Sequence, residues 1–227
     1  MNKKFTLILA FVAAIFVAKS QNVQFHYDFL SERNYLTTTV EQFKPDTYGS
    51  TFFFIDFNYS SKGVIEAYGE IARELKSWDG PLSVHLEYNG GLNTAMQFNN
   101  AYMLGGTYSQ NSSDFSKGFS VSAMYKLIQG NASPHNGQLT GTWYLHLLNG
   151  KLSFTGFADI WTEKYTVLND GFVANFQNAD FIFLSEPQLW YNLNKSFSVG
   201  GEVELSYNFA GMAGFKVFPT VGLKWTL

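Results

Sequence analysis

Apolar and polar residues alternate with a period of two along almost the whole chain. The clearest stretch is Phe197 to Phe209. Phe197, Val199, Val203, Leu205, Tyr207 and Phe209 point one way, and Ser198, Glu202, Glu204, Ser206 and Asn208 point the other. Successive strand side chains project from opposite faces, so this is a strand with one apolar and one polar surface. The last residues repeat it: Phe215, Val217, Val221, Leu223, Trp225 and Leu227 alternate with Lys216, Thr220, Lys224 and Thr226. Reading backwards, further strands fall near 180–193, 151–162, 138–148, 117–128, 99–109, 81–90, 63–76, 49–60, 34–43 and 22–30. That makes about twelve strands, with ten as the alternative count. No linker, low-complexity tract or helix-period segment interrupts the meander.

The connections sort by length. Asn149-Gly150 and Asn194-Lys195 read as tight hairpin turns. With both termini in the periplasm, these turns and those near 44–48 and 77–80 fall on the periplasmic side. The longer connections at 91–98, 129–137, 163–178 and 209–214 fall outside, as in bacterial barrels. The connection near 110–116 is an exception, lying inside without being especially short. Pro187 and Pro219 sit within strands, where a missing N–H marks a bulge or a strand end.

A secreted soluble sandwich would also alternate. Three features favour an all-β, closed antiparallel transmembrane β-barrel of the bacterial outer membrane. Aromatic residues make up 18% of the chain, 23 of them Phe, and they gather at the ends of the apolar faces as in membrane girdles. The polar faces combine charge with large aromatics, which suits a lined lumen. The last strand runs to Leu227, where an assembly signal would sit. Outer-membrane lipid and the barrel-assembly machinery are the implied partners, and a monomer is expected. The first twenty residues read as a signal peptide: Lys3 and Lys4, an apolar run from Phe5 to Ala18, and small residues at Ala18 and Ser20. The run is about 14 residues, short of the roughly 20 of a spanning helix. Residues 21–227 then form the barrel.

Charge narrows the function classes. Without cysteine there is no disulfide scaffold, thiolate metal site or cysteine catalysis. Removing Lys3, Lys4 and Lys19 leaves twelve basic residues against eighteen acidic ones. No basic stripe suits nucleic acid. Only Arg33 and Arg73 are arginines, too few for the cationic constriction of an anion pore.

Residues 38–60, TTVEQFKPDTYGSTFFFIDFNYS, with Glu41 ahead of the Gly49-Ser50-Thr51-Phe52-Phe53-Phe54-Ile55-Asp56 run and Tyr68-Gly69-Glu70 after it, resemble the early strands of Tsx-type nucleoside-specific channels. The resemblance covers about 35–90 and is thin elsewhere. The family's tryptophan-glycine-aspartate reads Tyr48-Gly49-Ser50 here, so its aspartate is missing and the chain reads as a divergent branch. The resemblance implies a twelve-stranded barrel conducting nucleosides through an aromatic and ionisable lumen.

Assigning the polar parity inward gives candidate substrate-binding residues Phe52, Phe54, Asp56, Glu66, Tyr68, Glu70, His85, Glu87, Tyr144, His146, Trp190, Glu202 and Glu204. Glu74, Lys126, Phe157, Asp159, Trp161 and Glu186 share that parity. Aromatic rings can stack on a base, and carboxylates accept hydrogen bonds from ribose hydroxyls and base amino groups. Phe52, Phe54 and Tyr68 could let a base slide between them. The same residues could equally plug a narrow barrel, with carboxylates paired to Lys126, Lys216 and arginine-like partners. The function expected is passive diffusion of small solutes, nucleosides by the resemblance. The alternative is a plugged barrel with a structural or lipid-modifying role. No enzyme, cofactor or metal is expected: the four histidines have no ligand spacing, although Glu66, Glu70 and Glu74 form an acidic stripe that could mark a divalent-cation site. His146 would need a serine in reach on the lipid face to act in a lipase, and its neighbours Tyr144, Leu145, Leu147 and Leu148 offer none. Leu205→Arg is expected to disrupt assembly, and Glu204→Arg, facing water, to be tolerated.

Overall fold

The computed structural model describes residues 21–30, 33–94, 98–169 and 175–227; the expected signal peptide, residues 1–20, lies outside them. The described strands are β1 (Gln21–Asp28), β2 (Tyr35–Asp46), β3 (Gly49–Ser60), β4 (Gly63–Leu75), β5 (Leu82–Asn93), β6 (Ala101–Asn111), β7 (Lys117–Ile128), β8 (His135–Leu147), β9 (Leu152–Asn169), β10 (Asn175–Ser185), β11 (Gln188–Asn192), β12 (Phe197–Tyr207) and β13 (Phe215–Thr226). Up to β9 each pairs antiparallel with the next, and β1 closes the sheet on β13 with Asn22 opposite Thr226 and Asp28 opposite Thr220.

β10 and β11 are two halves of one strand. Both lie between β9 and β12 in a single register: Ser185 faces Ala158 and Leu205, and Gln188 faces Thr155 and Glu202. The thirteen segments therefore form a closed barrel of twelve strands. Pro187 explains the interruption, because it has no N–H for the ladder. The neighbouring bonds survive, Glu186 N donating to Phe157 O at 3.1 Å and Val203 N to Pro187 O at 3.0 Å. Pro219 behaves differently from expectation. β13 continues through it in the same register, Val203 opposite Pro219, although the ladder skips Gly201 and Glu202 and the Thr220 hydroxyl takes the Glu202 N–H at 3.2 Å.

Two connections also differ. β9 continues to Asn169, so much of the loop expected at 163–178 is strand. Strand pairing with β10 satisfies backbone groups that an open loop would leave to water. Residues 112–116 form a fixed turn, shorter than the connection expected near 110–116. Asp114 accepts from Ser112 Oγ at 2.7 Å, Ser116 Oγ at 2.9 Å and Ser116 N at 3.1 Å. The Ser112 hydroxyl, then the Ser116 groups, hold its carboxyl down at about 2.

Burial is inverted relative to a water-soluble protein. Phe25, Leu104, Val121, Leu139 and Val221 lie exposed around the outside, while Gln24, His26, Ser122, Lys126 and Ser206 are buried. Exposed apolar bands encircling polar, buried residues need hydrocarbon as the outer solvent. The chain is thus an outer-membrane-type barrel. Among the described residues no helix is long and apolar enough to cross a membrane; crossing is by strands.

The glycine in the Tyr48-Gly49-Ser50 motif has a local reason. Gly49 has φ 132°, and a Cβ there would meet the Glu74 carbonyl oxygen at 1.9 Å. Gly49→Ala should therefore pull β3 from β4 at the periplasmic end. The expected result is a lower heat-shifted fraction on gels and a lower unfolding midpoint, by about 1–3 kcal/mol of backbone strain. An unchanged midpoint would show that this approach relaxes freely.

Candidate functional site

Because strand side chains alternate, closure of the barrel turns one whole parity inward. Phe52, Phe54 and Asp56 on β3, Glu66, Tyr68 and Glu70 on β4, His85 and Glu87 on β5, Tyr144 and His146 on β8, Trp190 on β11, and Glu202 and Glu204 on β12 share it. They divide among distinct groups.

The first group spans β4 to β9. His85 Nδ1 lies 2.5 Å from Glu74, and Nε2 lies 2.8 Å from Glu87. Thr107 donates to Glu74 at 2.8 Å and touches Ser122 at 2.7 Å. Glu70 accepts from the Tyr68 hydroxyl at 2.7 Å and from Asn89 at 2.9 Å, and Glu66 accepts from Asn58 at 2.8 Å and from Asn93. Each carboxylate of the expected acidic stripe thus has its own partners. Among the described residues no group of His, Asp and Glu converges on a metal position. Lys126 donates to Gln138 at 2.7 Å, sits 4.3 Å over the Trp161 ring, and feels the charges of Glu70, Glu163, Asp159 and Glu87.

The second group lies across β11, β12, β13 and β1. Trp190 pairs with Gly200, Gly200 with Gly222, and Gly222 with His26, in one row across four strands. Two glycines leave floor space, so the indole crosses them and meets His26 edge-on at 5.5 Å. A Cβ on Gly222 would touch the Trp190 ring at 3.0 Å. Lys224 sits 4.3 Å over the same indole. Gln188 bridges, accepting from Trp190 Nε1 and donating to Glu202, both at 2.9 Å. Glu202 also lies 3.7 Å from His26. Gln24 at 0% and Trp190 at 1% exposure show that this section is packed.

Toward the outer end, Arg33 from the β1–β2 connection forms a two-pronged pair with Glu204 and stacks 3.8 Å over Phe218. The expectation that Glu204→Arg is tolerated is therefore corrected. Glu204 is buried against a cation, and a second arginine there would leave two like charges unpaired in a low dielectric. Among the lysine and arginine-like partners expected for the wall carboxylates, Arg33 is the one that meets Glu204, a pairing that sequence distance concealed.

The expected aromatic stack is present but closed. Phe52 and Phe54 lie 6.1 Å apart, Phe54 and Tyr68 6.2 Å, and Tyr68 and Phe98 5.6 Å, centroid to centroid. The rings already touch, so a base would lie on the face of the run rather than slide between its members. Phe98 was not foreseen; it sits in the β5–β6 connection, where no strand period announces its direction.

His146 needs a second correction. Ser153, on the neighbouring strand β9, places its hydroxyl 3.0 Å from His146 Nδ1. Pairing between strands, not local sequence, brings them together. The pair has inward parity at the periplasmic mouth rather than facing lipid, and Asn192 also donates to Ser153 at 3.1 Å. Tyr144, two residues away, donates to Asn111 at 2.8 Å.

Acid dominates the lumen. Asp56, which accepts from Thr39 at 2.5 Å, shares inward parity with Glu41, Glu66, Glu70, Glu74, Glu87 and Glu202. Lys126, Lys216, Lys224 and Arg33 oppose them.

Residues 20–227 match the model of a family described as a domain of unknown function (DUF5020), and the chain belongs to that family. No curated protein matches the sequence. Among solved structures, a NanC porin aligns with a TM-score of 0.59 and 13% identity, over 92% of this chain and 100% of that one. A KdgM porin aligns at 0.53 and 10%, over 92% and 99%. The same porin in complex with disordered oligogalacturonate aligns at 0.52 and 10%, over 92% and 99%. At such identities the likeness is one of fold: a porin-like barrel.

Proposed function

We propose that this member of the DUF5020 family is an outer-membrane channel for passive diffusion of small neutral or cationic solutes, with nucleosides as the class its lumen suits. The observation that carries the reading is the acidic, aromatic lumen. Inward-facing carboxylates concentrate cations and repel anions in a low-dielectric cylinder. The KdgM porin is described with oligogalacturonate, an acidic oligosaccharide; a polyanion of that kind is a poor match for these walls. The Phe52–Phe54–Tyr68–Phe98 run offers a ring surface for a base, and Asp56 an acceptor for ribose hydroxyls.

In planar bilayers, adenosine or thymidine should reduce single-channel current. Replacing Phe52 and Phe54 together by alanine should weaken that block by roughly tenfold, using about 1–3 kcal/mol per stacked base, while ion conductance stays equal or rises. Asp56→Asn should weaken it as well. Nucleosides that neither block current nor enter liposomes faster than matched sugars would remove the substrate class and leave the channel.

The burial of Gln24, His26, Trp190 and Phe218 favours one second reading, a plugged barrel with a structural role. Discrete conductance steps from the reconstituted wild type would dismiss it, and their absence would establish it. The mature chain is proposed to begin at Gln21, as a monomer inserted by the barrel-assembly machinery; N-terminal sequencing of membrane-extracted protein tests the cleavage site.

A further inference from the structure

The outer wall carries a built feature at the periplasmic rim, remote from the lumen. The β2–β3 turn and the β4–β5 connection lean together there, Lys76 N donating to Tyr48 O at 2.9 Å. Between them lies a cavity of about 300 Å³ lined by Tyr48, Leu75, Lys76, Ser77, Trp78 and Val84. Leu75 and Val84 are opposite each other on β4 and β5, and with Ile71 and Leu86 they continue the exposed lipid-facing wall. The floor is therefore hydrocarbon-facing. The walls are amphipathic rings: Tyr48 is 65% and Trp78 48% exposed, and Trp78 Nε1 is fixed on Leu82 O at 2.9 Å. Lys76 closes the connection on the Gly80 carbonyl and keeps its ammonium at the edge of the cavity.

Charge around it is cationic. Lys44, Thr51 and Arg73 form one row on the outward face, and Arg73 binds Asp46 at 2.5 and 2.9 Å and Thr51 at 3.0 Å. Three cations here face two acids, Asp46 and Asp79. Around the same end, Lys117, Lys151 and Lys195 are opposed by Asp114 alone. The periplasmic rim thus carries six cationic side chains against three acidic ones and is net basic.

We propose that this cavity seats one anionic phospholipid of the inner leaflet. An acyl chain lies along Leu75 and Val84, Trp78 and Tyr48 flank the glycerol level, and Lys76 meets the phosphodiester with Arg73 and Lys44 beside it. Aromatic rings and basic side chains at the headgroup level are the groups that anchor and select such a lipid. A neutral lipid would fill the floor equally well, so selectivity for the anionic headgroup carries the claim.

The test uses the mature barrel extracted in mild detergent, supplied with equimolar phosphatidylglycerol and phosphatidylcholine, and weighed intact by native mass spectrometry. Preferential retention of one phosphatidylglycerol is expected. Lys76→Ala should lower the preference about fivefold, the factor for one basic residue at an anionic surface, and Lys76→Arg should restore it. Trp78→Ala should reduce retention of both lipids. Lys195→Ala, in a distant turn, should change nothing, and excess inorganic phosphate should not displace the lipid. Equal retention of the two lipids, displacement by phosphate, or an equal loss with Lys195→Ala would overturn the proposal. Heat-shifted migration of each variant confirms that the barrel compared is folded.

Discussion

Val221→Arg should nearly abolish assembled barrel in membranes, whereas Thr142→Arg should leave most of it intact. Val221 lies near the middle of β13, opposite Tyr27, with 56% of its surface exposed on the lipid side. A guanidinium there must enter hydrocarbon, at a cost of about 2–4 kcal/mol near the midplane. That is a large share of a total stability of roughly 5–15 kcal/mol. Thr142 has the opposite parity on β8, touches Ser120 at 2.7 Å and is exposed in the periplasmic mouth, so an arginine there stays in water. The readout is the fraction of membrane-extracted protein that shifts its gel mobility on boiling. Equal yields for the two variants would show that the lipid and lumen faces are exchanged.

Reconstituted channels in a salt gradient should show a reversal potential displaced toward the cation, with a permeability ratio of roughly ten, the low end of what focused charge achieves. The effect comes from inward-facing carboxylates on β3, β4 and β12, Asp56, Glu66 and Glu202 among them. The double variant Asp56→Asn with Glu202→Gln should reduce the ratio severalfold and raise the permeability to chloride. Glu204 is a poor choice for such a test, because Arg33 already neutralises it. An anion preference in the wild type would defeat the acidic-lumen argument, whatever the solute.

Parity was the readable part of the site. Glu74, His85, Glu87, Lys126, Trp190 and Glu202 were placed inward by period alone, since strand geometry is local and repeats every two residues. Some pairs were also within reach of that reading: His85 with Glu87, Gln24 with His26 and Tyr68 with Glu70 are two residues apart on one face. Other partnerships were not. Arg33 and Glu204 are 171 residues apart, His26 and Thr220 194. These meet because the first and last strands close the cylinder.

The corrections have the same origin. Ser153 was invisible from His146 because their contact runs across the β8–β9 ladder. Phe98 was invisible because connections carry no period. Pro187 could be recognised as an interruption, but whether it shifted the register depended on the bonds of β9 and β12 on either side, which hold it in place.

The sequence by itself determined the strand alternation, the tightest turns, the lipid and lumen faces and the excess of acidic residues inside, because each follows from residue type and a two-residue period. The tertiary structure decided which inward side chains touch. Register between strands and closure of β1 on β13 assign every neighbour across the lumen, and no local preference encodes them. The Trp190–Gly200–Gly222–His26 row shows the difference: its residues can be read as inward or small one at a time, but only four strands in register make them a packed section of the lumen.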